Sequence, residues 1–62
     1  MKTRRLIATH EGVTYARNTH RPYACVVVYQ DPDKRPTWHE TRRGAERALG
    51  LHPGAIVPVQ EA

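Results

Sequence analysis

The chain has 62 residues, with ten Lys or Arg against six Asp or Glu, four His, one Cys and no Phe, giving a formal net charge of +4 and a pI near 9.8. That length holds one domain, residues 1–62, whose folding buries only roughly 60% of the unfolded chain's surface. No apolar run approaches the ~20 residues of a membrane span. Leu6-Ile7-Ala8 is also too short for a signal-peptide core, despite the basic MKTRR start. One cysteine forms no internal disulfide, so the expected compartment is a reducing cytoplasm, that of the host cell if the chain is phage-encoded. The basic balance points to a polyanion, or a complex containing one, as partner.

Residues 4–10 (RRLIATH) alternate Leu6 and Ala8 against Ile7 and Thr9, and Glu11-Gly12 then supplies a turn, Gly accepting a positive φ there. Residues 13–17 resume the period of two, with Val13 and Tyr15 on one side and Thr14 and Ala16 on the other, so the two runs read as a hairpin. Residues 18–22 break the pattern, and Pro22 places the start of a third strand after it. Residues 23–29 (YACVVVY) are apolar on both faces: Ala24, Val26 and Val28 on one, and Tyr23, Cys25, Val27 and Tyr29 on the other. A run of that kind argues for a central strand covered on both sides.

Residues 31–36 (DPDKRP) form a loop. Thr37-Trp38-His39-Glu40 matches a capping box, which predicts a helix over 38–49 with Trp38, Thr41, Ala45, Ala48 and Leu49 on one stripe. Gly50 ends it, and Leu51 suits the apolar contact of a Schellman ending. Residues 55–59 read as a last strand, confined to an edge by Pro58.

These elements predict an α+β fold, β-β-β-α-β: a three-stranded antiparallel meander, one helix on one face and a short C-terminal edge strand. The expected strand order is 4-1-2-3, with a right-handed crossover into a parallel last strand. A helix of 12 residues is about 18 Å long and covers one face of such a sheet. The face carrying Tyr23, Cys25, Val27 and Tyr29, joined by Ile7, is then an apolar interface candidate for a protein partner or a second copy.

Catalytic chemistry finds no footing. His10, His20, His39 and His52 with Cys25 have no zinc-ligand spacing, so no metal is expected. Cys25 sits in the most apolar segment, unlike an activated nucleophile. Asp31 and Asp33 lie in the loop, Glu40 belongs to the cap, and Glu46 pairs with Arg42 or Arg43. With no triad, dyad, phosphate loop or cofactor motif, the chain is expected to be neither an enzyme nor cofactor-dependent.

The basic residues say more. Eight of the ten are arginine, whose planar fork grips phosphate or carboxylate at two points. Arg4 and Arg5 open the first strand, Arg17, His20 and Arg21 flank the bend after the second, and Arg42, Arg43 and Arg47 lie on the helix's solvent side. Residues 1–21 hold five basic side chains against Glu11, whereas residues 22–62 hold five of each sign, so the net charge belongs to the first hairpin.

The pattern EGVTYARNTHRPYACVVVY, then a loop, then TWHETRRGAERAL, resembles the small hairpin-plus-helix proteins of phages and mobile elements. Some of these are inhibitors of host defence, anti-CRISPR proteins among them, and the GLHPGAIV turn and strand are similar to the ends of several. The resemblance rests on architecture and spacing. It implies a non-enzymatic protein that occupies a host protein or protein–nucleic-acid complex, and the basic charge argues against a DNA mimic. Three strands followed by a helix is also the plan of AP2-like domains and of some phage integrase arm-binding domains, which lay a sheet in the major groove. A direct DNA-binding module and a small structural homodimer are therefore the competing expectations.

Overall fold

The computed structural model describes residues 2–62. The alternating runs pair as a hairpin of β1 (Arg4–His10) and β2 (Val13–Thr19), in unbroken register from Arg4 opposite Thr19 to His10 opposite Val13. Glu11 and Gly12 both have positive φ, 50° and 78°. A two-residue turn needs this to match the right-handed twist of its strands. β2 runs two residues beyond the predicted 13–17, to a buried Thr19 whose hydroxyl accepts a hydrogen bond from the Arg21 amide at 3.1 Å.

β3 (Cys25–Tyr29) does not extend this hairpin into a meander. It is the centre of a second antiparallel sheet, flanked by β4 (Thr37–His39) and β5 (Gly54–Pro58). β5 runs antiparallel to β3, with Val26 opposite Val57, so neither the order 4-1-2-3 nor a parallel crossover is found. Pro58 closes an edge strand as predicted, because β5 bonds only β3 in its sheet. At Val59 the chain leaves that sheet and continues as β6 (Gln60–Glu61), which pairs with β1 and completes the first sheet in the order β2-β1-β6. Val59 N–H donating to Ala24 at 3.0 Å and Ala62 N–H donating to Arg5 at 2.9 Å mark the passage from one sheet to the other.

The predicted helix is shorter. Residues 37–39 are extended, and α1 (Arg42–Leu49) begins after a different cap. Thr41, at φ −133° and ψ 151°, accepts the Gly44 amide on Oγ1 at 3.0 Å. The Thr37 hydroxyl bonds instead to His39 Nε2 at 2.8 Å. Extended backbone at Trp38 sets it opposite Val26 and packs its ring into the core. At the other end Gly50 (φ 54°) donates its N–H to Glu46 at 2.9 Å, while Leu51 is fully exposed and makes no Schellman contact.

Three layers result, and β3 explains why. Its Val26 faces Ala8 of β1 together with Val57, and Val28, Trp38 and Val59 pack around them. Its Cys25 and Val27 face Ala45 of α1, ringed by Tyr29, Ala48, Leu49 and Ile56. Val26 and Val27 are both 0% exposed, so the doubly apolar strand is buried on both sides, by the hairpin and by the helix. Gly54 sits where β5 crosses the end of the helix. A Cβ there would run into the Val28 carbonyl and stand 3.0 Å from Leu49 Cδ1.

Candidate nucleic-acid interface at the open end of the hairpin

The register of β1 and β2 decides where the basic residues lie. Arg4 opposite Thr19 and Arg5 opposite Asn18 put the start of β1 beside the end of β2, with Arg17 one step inward, and His20 and Arg21 just past the strand. Lys2 precedes β1 at the same end. All six side chains are exposed. Glu11, their only acidic companion in residues 1–21, is carried to the far tip by the turn. Glu61 takes its place, Arg4 Nη1 standing 3.7 Å from its Oε2 with the two side chains 42% and 56% exposed. An ion pair that open contributes at most about 1 kcal/mol and leaves Arg4 free to exchange partners. Five Lys and Arg against one Glu keep this end at +4.

Behind the cluster the seam between the sheets is shut. The Arg17 guanidinium lies 5.4 Å from the Tyr23 ring centroid, and Tyr23 meets Trp38 edge-on at 5.9 Å and 61°. Tyr23 thus turns into the seam ahead of β3, and Trp38 belongs to the core between the sheets rather than to the helix. Both rings are half-buried, set against each other and, for Tyr23, against Arg17.

Since side chains alternate along a strand, Arg5, Ile7 and Thr9 of β1 share the outward face of the first sheet with Asn18, Ala16 and Thr14 of β2 and Gln60 of β6. Apart from half-buried Ile7 and exposed Ala16, this face is polar, with Thr9 Oγ1 and Thr14 Oγ1 3.4 Å apart. Sequence reasoning missed it. The alternation was visible, but which side faced water depended on the second sheet.

The other anticipated residues fall elsewhere. Arg42, Arg43 and Arg47 are exposed on α1, separated from the hairpin by the whole second sheet; Arg42 Nε pairs with Glu46 Oε1 at 3.3 Å. The face of Cys25, Val27 and Tyr29, expected to be open, is the one α1 covers: Cys25 is 7% and Val27 0% exposed, and the Tyr29 hydroxyl donates to the Ala48 carbonyl at 3.3 Å. At the hairpin tip the sheets part around a cleft of about 390 Å³, lined among others by His10, Tyr15, Tyr29 and Gln30. Among the described residues no three His, Cys, Asp or Glu side chains converge as a metal site would, and no helix is long and apolar enough to cross a membrane.

Compared with family models, with curated proteins and with solved structures, the chain finds no significant match.

Proposed function

We propose that this chain is a non-enzymatic nucleic-acid-binding domain that lays the outward face of its hairpin sheet along duplex DNA. The observation that carries the reading is the five-cation cluster at one end of a polar-faced sheet. Arg5, Thr9, Thr14, Asn18 and Gln60 supply donors and acceptors of the kind that read base edges, and the major groove admits a two-stranded ribbon. Lys2, Arg4, His20 and Arg21, exposed at the open end beside that face, take the phosphates. Single-stranded binding is the weaker alternative, because it relies on aromatic faces open to stacking, and Tyr23 and Trp38 are half-buried edge-on against each other.

Gel shifts of labelled duplex and single strand between about 50 and about 200 mM salt test the reading. Duplex should be retarded more strongly, and Arg4→Ala or Arg21→Ala should each lower the salt slope by about 1. Arg47→Ala should leave it unchanged. No retardation at the low-salt end, or equal sensitivity to the helix arginine, removes the proposal.

One observation favours a second reading, an inhibitor of phage or mobile-element type that occupies an acidic protein surface in host nucleic-acid machinery. Arg43 and Arg47 are exposed and make no ion pair among the described residues, so α1 presents a cationic ridge of its own. A lysate pull-down that recovers a protein partner after nuclease treatment, and loses it with Arg43→Glu, would establish this reading over the first. Recovery of nucleic acid alone would remove it.

A further inference from the structure

The free edge of β2 has an arrangement the nucleic-acid reading does not use. In a hairpin closed by a two-residue turn, the first pair, His10 with Val13, is hydrogen-bonded, and bonded pairs then alternate along the strands. Ala8–Tyr15, Leu6–Arg17 and Arg4–Thr19 thus turn their amides toward each other. Thr14, Ala16 and Asn18 point theirs away from β1. The Ala62 amide donating to the Arg5 carbonyl confirms the phase, because Arg5, opposite Asn18, directs its backbone away from β2. β2 is the longest strand edge left unpaired among the described residues. Its seven residues contain no Pro or Gly, whereas β4 has three residues, β6 has two, and β5 ends on Pro58. Sheet edges are usually protected by proline, a bulge, short length or a charged side chain; β2 has no proline and an unbroken register with β1, and Arg17 is its one charge.

We propose that β2 pairs antiparallel with β2 of a second copy of this chain, about a two-fold axis through Ala16. That register is self-complementary residue by residue. Ala16, the smallest side chain of the strand, meets itself on the axis. Thr14 meets Asn18 of the other copy, a pair of small polar groups on the outward face. Tyr15 meets Arg17 on the inward face, an aromatic ring beside a guanidinium, and this happens twice. Val13, 51% exposed in the single chain, is covered opposite Thr19. All three outward amides of each copy find partners, and the two hairpin sheets become one six-stranded sheet. The two Arg17 side chains lie diagonally across the axis on the same face, so the association should tighten as salt rises. Phosphate binding has the opposite dependence, which keeps this proposal separable from the nucleic-acid reading.

Sedimentation of the wild-type chain over a wide concentration range should show a monomer–dimer equilibrium that strengthens with salt. Ala16→Pro removes a donor that faces away from β1, so the hairpin keeps its own hydrogen bonds. The dimer loses two, and the expected weakening is about 30-fold. Independently of how that variant folds, Ala16→Cys should cross-link to its copy on mild oxidation. Bonded partners lie about 5.5 Å apart at Cα, inside the range a disulfide spans. Asn18→Cys, two positions off the axis, should not. A wild-type monomer up to millimolar concentration, or cross-linking equally efficient at Ala16→Cys and Asn18→Cys, would overturn the proposal.

Discussion

Two threonines four positions apart compete to open the helix, and the weaker motif wins. Thr37 has Glu40 three residues on and fits the reciprocal box. Thr41 is followed at that spacing by Gly44, which offers an amide and no side chain. The difference is Trp38. Capping at Thr37 would put the indole in the first helical turn, whereas extended backbone there places it beside Val26 between the sheets, where its larger apolar surface is removed from water. Thr41→Ala should therefore cost about 1 kcal/mol and unprotect the Gly44 amide to hydrogen exchange. Glu40→Ala should stay within about 0.5 kcal/mol, as for an exposed residue outside any cap. A larger loss at Glu40 in urea titrations would mean that the box at Thr37 operates after all.

Among the elements, β3 is the one on which both cores depend. Val26→Ala empties space between the sheets and Val27→Ala empties space under the helix, each expected to cost about 1–3 kcal/mol. A domain of this size has a total stability of only about 3–9 kcal/mol. Tryptophan fluorescence distinguishes the two layers: its emission should shift for Val26→Ala, which borders Trp38, and hold for Val27→Ala. Shifts in both would show that the layers are not independent. The sequence already contained the logic of β3, since a strand apolar on both faces had to be central, and the pairing of β1 with β2, the end of the helix and the edge role of Pro58 were equally legible. What covered the second face was not. Leu6 and Ala8 mark an inward side of β1 without naming the surface they meet, and sheet-on-sheet packing leaves no local spacing to detect. The doubly apolar strand pointed to an outside partner only while a single sheet was assumed; with two sheets the hairpin of the same chain takes that place. The basic cluster was legible as charge along the chain. The removal of Glu11 and the arrival of Glu61 required the register.

At the scale of the whole molecule, the hairpin separates chemistry along its length. Cations gather at its open end, a polar face runs between, and the cleft with His10 and Tyr15 opens at the tip. α1 and its arginines stand on the opposite side of the second sheet, so a ligand bound to the hairpin's outward face need not touch them. The passage of the last strand from β3 to β1 also has a kinetic consequence. The hairpin of β1 and β2 can close locally in microseconds, yet Leu6 acquires its neighbour Glu61 only when nearly the full length of chain has been looped back. Folding should therefore fall in the millisecond-to-second range typical of non-local β pairing, with closure of the ends as its slow event. A circular permutant that joins Ala62 to Lys2 through a short linker and opens the exposed loop between Asp33 and Lys34 makes that contact local. In stopped-flow refolding followed by Trp38 emission it should reach the same structure faster than the parent chain, and an unchanged rate would place the barrier elsewhere. The two ends, remote in order of synthesis and adjacent in space, would then be the clock of the fold.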